Sequence, residues 1–258
     1  MKVLLVFALT LVIVSLVSTA LVLRGQAENF GIINGHNASA GQFPYQVQLI
    51  NNFGVSCGGS LIGHEWVLTV ASCAKFAKNF TVHLGSIRRS APLVTRFASE
   101  KDIISHPHFH RMFMHNDIAL VRIPYVKYNK NLHPVKLPKI QSHYRTYAGS
   151  EAIFTGWGPT TNTSTTEPEI LRYAKVKVMK IVECRAKHHN IIGFEQICAS
   201  AASGALPWGG DGGGPLVELP GFSQIGITSF LIKKQGIAGF TRVTSYLGWI
   251  KEHTGLPL

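Results

Sequence analysis

Residues 207 to 215 read PWGGDGGGP, an aspartate set among five glycines. Each glycine costs about 0.5–1 kcal/mol of chain entropy relative to alanine, so backbone freedom must be needed here. Two chemistries ask for it. Either bare N–H groups cradle an anion, or a tight catalytic turn has lost one of its side chains.

Working outward, the chain alternates apolar and polar residues in short segments, PYQVQLI, FTVHL, AKVKVM and SQIGITSF, separated by Gly, Pro, Asn and Ser clusters. This period of two predicts an all-β protein. Helical spacing occurs once, where Val243, Tyr246, Leu247 and Ile250 fall at i, i+3, i+4 and i+7 before Gly255 and Pro257. A short C-terminal helix is expected there. The polar run GPTTNTSTTEPEI from Gly158 reads as a surface loop, because strand-like sequence resumes directly after it.

The 258 residues begin Met1, Lys2 and continue almost wholly apolar from Val3 to Leu23, as a secretory signal or a membrane anchor does. Small residues favour a signal peptide over 1–27 with cleavage after Ala20 or Ala27, followed by a short segment over 28–31. No membrane segment is then expected in the mature chain. Removing Lys2 and Arg24 lowers the formal charge of +12 by two, to +10, and leaves a strongly basic chain of about 230 residues.

Four cysteines allow three pairings. In a secreted chain disulfides are favoured over a metal site, and the sequential pairing, Cys57–Cys73 with Cys184–Cys198, closes two loops each worth about 3 kcal/mol. Glycosylation sequons at Asn37, Asn79 and Asn162 agree with an extracellular location.

Six motifs in order, IING (32–35), CGGSLI (57–62), WVLTVASC (66–73), NDIALVRI (116–123), GWG (156–158) and GDGGGP (210–215), resemble the trypsin and chymotrypsin family of secreted serine proteases. The resemblance covers Ile32 to the C-terminal helix. It implies one domain over 32–258 built of two antiparallel β-barrels, with the boundary near 137–145 and the active site between them. The family's chemistry takes a serine nucleophile, a histidine base and a buried carboxylate. At the corresponding positions this chain has Gly212, Ser72 and Asp117. A hydroxyl does not accept a proton as a base near neutral pH, and glycine carries no nucleophile. Asp117 would face Ser72, with Ser229 as a second hydroxyl donor, while the N–H groups of Gly210 and Gly212 could still form an oxyanion hole.

The resemblance also implies a specificity pocket near Leu206, Trp208, Ser229 and Leu231. A trypsin would carry aspartate near Leu206, Trp208 replaces an expected cysteine, and Leu231 replaces a glycine, so an apolar, partly filled pocket is expected. Ile32 and Asp211 match the family's activation pair. The nearest basic residue before Ile32 is Arg24, so tryptic cleavage would not free Ile32.

Weaker signals remain. His106, His108, His110 and His115 crowd beside Arg111, but no matched carboxylate or cysteine accompanies them, and no metal or cofactor is expected. Arg88, Arg89 and the lysines at 127, 130, 136, 139, 175, 177, 233 and 234 supply basic surface that could attract anionic glycans. Nucleic acid is not expected, since no recognition motif accompanies the charge. The resulting expectation is a secreted serine protease homologue that is not an enzyme. It would bind proteases, inhibitors or protease substrates as a competitor or partner. The alternatives are an active serine-type endopeptidase and a polyanion-binding surface protein.

Overall fold

The structure, a computed structural model, describes residues 32, 34–159, 166–188 and 191–258. The expected signal segment 1–27, residues 28–31 and the sequon asparagine at 162 lie outside the described residues.

Fourteen strands form among the described residues: β1 (His36–Asn37), β2 (Gln46–Asn51), β3 (Ser56–Gly63), β4 (Trp66–Thr69), β5 (Asn79–Leu84), β6 (Val94–Ser99), β7 (Ile103–Ser105), β8 (Ala119–Arg122), β9 (Glu151–Gly156), β10 (Arg172–Val178), β11 (Gln196–Ser200), β12 (Pro215–Glu218), β13 (Gln224–Ile232) and β14 (Ile237–Arg242). They make two seven-stranded antiparallel sheets, ordered β6-β5-β2-β3-β4-β8-β7 and β1-β10-β11-β14-β13-β12-β9. The second closes into a barrel because β9 also pairs with β10, from Arg172 opposite Gly156 to Lys177 opposite Glu151. The chain passes from first sheet to second between Arg122 and Glu151, and residues 137–145 lie in that crossing.

Each barrel has its own core. Val47, Leu49, Leu61, Phe80 and Val121 fill the first, and Phe154, Ile197, Leu216, Ile225 and Phe240 the second. Alternation decides which residues enter. In β10 Ala174, Val176 and Val178 are buried while Lys175 and Lys177 face solvent. A third cluster joins the barrels, with Leu68, Val70 and Leu120 meeting Trp157, Val217 and Ile227. Two buried polar bonds cross the same seam: Ser60 donates to Gln224 at 2.7 Å, and Thr155 donates to Gln46.

Three α-helices are present among the described residues: α1 (Ala71–Ala74), α2 (Ile181–Lys187) and α3 (Leu247–Thr254). The expected C-terminal helix arrives in two pieces, a 3-10 turn over Val243–Ser245 and then α3, because Tyr246 between them sits at φ −125°. Its four predicted apolar positions are nevertheless all buried, and Gly255 ends it in the left-handed region at φ +69°. The Cys57–Cys73 bridge ties β3 to α1, and Cys184–Cys198 ties α2 to β11.

Candidate active site

The glycine-rich turn is answered position by position. Gly210 and Gly213 both stand at φ +91°, where a side chain is strained. A β-carbon on Gly213 would also lie 2.2 Å from the Gly58 carbonyl oxygen and from Thr69 Oγ1, and one on Gly214 2.7 Å from the Thr155 carbonyl oxygen. These glycines let the turn press against β3 and β9, where Gly58 N–H donates to the Gly212 carbonyl at 2.8 Å. Gly212 is different. A β-carbon there meets nothing nearer than Cys73 Sγ at 4.0 Å, so the fold does not require glycine at that position.

Asp211 turns inward. It is wholly buried, and its carboxylate accepts Gly158 N–H at 2.7 Å and Trp208 N–H at 2.8 Å. No cation pairs with it among the described residues, and burial pushes its pKa up to about 7. Ile32, its expected partner in activation, is also fully buried. With Asp211 turned in, the N–H groups of Gly210 and Gly212 are left without a hydrogen bond among the described residues, as donors awaiting an anion would be.

Across the turn lies Asp117, a second buried carboxylate. Its Oδ1 accepts the Ser72 N–H at 2.7 Å, and its Oδ2 accepts hydroxyl hydrogens from Ser229 at 2.6 Å and Ser72 at 3.1 Å. Burial raises its pKa to about 6, although these hydrogen bonds pull the other way. Thr241 Oγ1 fixes the Asp117 backbone carbonyl at 2.7 Å. Ser72 itself is exposed at the start of α1. The structure thus brings Ser72, Ser229 and Asp117 together.

Between the barrels opens a cavity of about 440 Å³, lined on one side by Val55, Cys57 and Cys73 and on the other by Trp208, Gly212 and Leu231. Ser229 and Gly210 reach it too. Leu206 does not line it. That side chain is drawn into the second barrel's core beside Ile32 and Phe240, leaving Pro207 and Trp208 to make the wall. Lys233 lays its ammonium 4.5 Å from the Trp208 ring, so a positive charge stands beside an apolar wall. Sequence reasoning had no signal for this pair, because it depends on how the turn after β13 folds back.

Elsewhere the histidines stay in pairs, His106 with its ring centroid 5.9 Å from that of His108 and His110 bridged to His115 through the backbone. His106 packs near Tyr246 and Trp249, His110 stacks on Phe113, and no group of three His, Cys, Asp or Glu able to hold a metal ion occurs among the described residues. The sequon residue Asn37 is exposed on β1 and accepts from Arg172 at 3.0 Å, and Asn79 begins β5. No helix among the described residues is long and apolar enough to cross a membrane.

Two antiparallel barrel-like sheets with a cleft at their junction define the class, and relatives give the family. The family model described as Trypsin matches residues 32–250. A protein of Drosophila melanogaster named Serine protease 1 is 37% identical over 234 residues, covering 87% of this chain and 86% of that protein. Collagenase of Hypoderma lineatum is 36% identical over 266 residues, 99% of each chain. Trypsin of Sus scrofa is 30% identical over 227 residues, 86% of this chain and 94% of that protein. A solved structure of HL collagenase superposes with a TM-score of 0.80 at 35% identity, over 88% of this chain and 100% of its own. The chain belongs to the trypsin family of serine proteases.

This finding corrects the expectation that the chain is not an enzyme. Relatives 30–37% identical carry the names of proteases. Loss of two side chains does not by itself exclude hydrolysis. Backbone donors and substrate binding alone retain about 10³–10⁴-fold catalysis over water in serine proteases whose triad is removed.

Proposed function

We propose that this chain is a secreted endopeptidase of low turnover that hydrolyses proteins and peptides held in the cleft between its barrels. The observation that carries the reading is the juxtaposition at the turn: unpaired N–H groups on Gly210 and Gly212 beside an apolar cavity, in a chain whose family acts on polypeptides. In this reading those two N–H groups hold the carbonyl oxygen as charge develops on it. Gly212 has no hydroxyl, so the attacking oxygen comes from water. Removing the nucleophile costs about 10⁶-fold in turnover in a serine protease, and rates of that order below an intact relative are expected.

The cavity wall of Trp208, Pro207 and Leu231 favours an uncharged apolar side chain before the cleaved bond, and Lys233 disfavours a basic one. Residues 1–27 act as a secretory signal, with the domain over 32–258 and glycans on Asn37, Asn79 and Asn162. The switch pairing Ile32 with Asp211 would need a cut after Gly31 by a protease without tryptic specificity.

The test is a peptide library incubated for days at micromolar enzyme, with new amino termini identified by mass spectrometry. Cleavage after apolar residues is expected. Saturable binding with no new terminus would overturn the proposal and leave the chain a competitor or partner in proteolysis.

A further inference from the structure

The proposed hydrolysis needs a group that takes the water's proton, and Gly212 and Ser72 leave no imidazole to do so. Behind the cleft lies one buried carboxylate, linked through Ser229 to the cavity wall and through Ser72 to solvent. Asp117 has no exposed surface, whereas Ser72, which donates to its Oδ2 at 3.1 Å, is exposed. The residue after Ser72 is Cys73, whose Sγ faces Gly212. Ser72 is therefore the solvent end of a buried carboxylate, next in sequence to Cys73, which lines the cavity that Gly212 also borders.

Ser229 serves differently. Its 2.6 Å bond to the same Oδ2 comes from β13, the strand that lines the cavity wall, so it fixes the carboxylate from the substrate side. The Ser72 backbone N–H occupies Oδ1 at 2.7 Å and directs the remaining lone pairs of Oδ2 toward the two hydroxyls. This geometry suits proton transfer through Ser72, since a hydroxyl can receive one proton while passing on another.

We infer that Ser72 is a catalytic residue of this chain, carrying a proton from the attacking water to Asp117, which acts as a positioning residue behind it. The inference rests on the proposed hydrolysis. As the water oxygen bonds to the carbonyl carbon, the carbonyl π pair moves onto the oxygen facing Gly210 and Gly212. The water's proton passes to Ser72 Oγ, and the Ser72 proton passes to Asp117 Oδ2. When the C–N bond breaks, the leaving nitrogen takes a proton back from Ser72, which recovers one from Asp117. The products are a carboxylic acid and an amine, with both protein groups restored.

Besides the backbone N–H of Ser72, the groups that face Asp117 are hydroxyls: Ser72 from α1, Ser229 from β13, Thr241 Oγ1 on its backbone carbonyl from β14, and the Tyr246 phenol, whose pKa is raised by burial, Glu195 and Asp117. His106 packs on Tyr246, and burial lowers its pKa from the ordinary histidine value of 6.5. The test is kcat/KM against pH for a peptide from the library, with Ser72→Ala, Ser72→Thr, Ser229→Ala and His106→Gln beside the unmodified chain. The rate should rise as Asp117 loses its proton, near pH 6, and His106→Gln should leave that rise in place. Ser72→Ala should lower kcat about 10²-fold with KM unchanged, and Ser72→Thr should restore it. Hydrolysis undiminished in Ser72→Ala, or lost only in Ser229→Ala, would overturn the relay while leaving the proposed function standing. A chain with no hydrolysis at any pH would overturn both.

Discussion

A serine at position 212 fits the turn as it stands, since the nearest atom to a β-carbon there is 4.0 Å away. Gly212→Ser should therefore change stability by no more than about 0.5 kcal/mol in urea unfolding. Gly213→Ala should cost at least about 2 kcal/mol, because it puts a β-carbon against two oxygens at φ +91°. Equal costs for the two variants would contradict this reading of the turn. The double variant Ser72→His with Gly212→Ser should speed peptide hydrolysis well beyond the unmodified chain. The glycine-rich stretch by itself left an anion cradle and a catalytic turn both open, and the resemblance of the surrounding motifs chose the turn. That it contains structural glycines at 213 and 214 beside a dispensable one at 212 was not legible, because the distinction depends on β3 and β9 packing behind it.

Buried acids at the ends of elements set how stability responds to pH. Asp117, just before β8, has its pKa raised to about 6, and Asp211, just before β12, to about 7. Each holds its proton better in the folded chain than in the unfolded one, where the value is about 3.8. The resulting stabilisation is present in full below about pH 4 and is lost as pH climbs through 6 and 7. The melting temperature should be higher at pH 5 than at pH 7.5, and Asp211→Asn should flatten that difference. A melting temperature that rises over the same interval would contradict it. In α3, Ile250 is fully buried at the seam between barrels, and Ile250→Ala should cost about 2–5 kcal/mol in the same melts. The periodicity of Val243, Tyr246, Leu247 and Ile250 announced this packing face. The break at Tyr246 was not announced, nor was α2, whose IVECRAK sequence buries chiefly Cys184 and offers no apolar stripe.

Across the whole molecule, the two-barrel fold was readable because alternation in segments such as AKVKVM and six motifs in order each constrain it independently. The site was readable less fully. Leu206 faces the core rather than the cavity, and Lys233 reaches the Trp208 ring from a turn that no pattern marks. Surface charge belongs to this scale as well. With 25 basic against 13 acidic residues and Lys175 and Lys177 exposed on β10, the chain should bind a heparin column and elute as salt is raised. Passage unretained at low salt would dismiss anionic glycans as partners.

In the proposed function, water cuts the peptide bond without a covalent enzyme intermediate. The decisive measurement mixes excess enzyme with a cleavable peptide in ¹⁸O-labelled water, quenches over time and weighs the enzyme intact. The expected result is one ¹⁸O in the new carboxylate and an enzyme mass that never changes. An acyl adduct on the chain, or a peptide that stays whole, would contradict it.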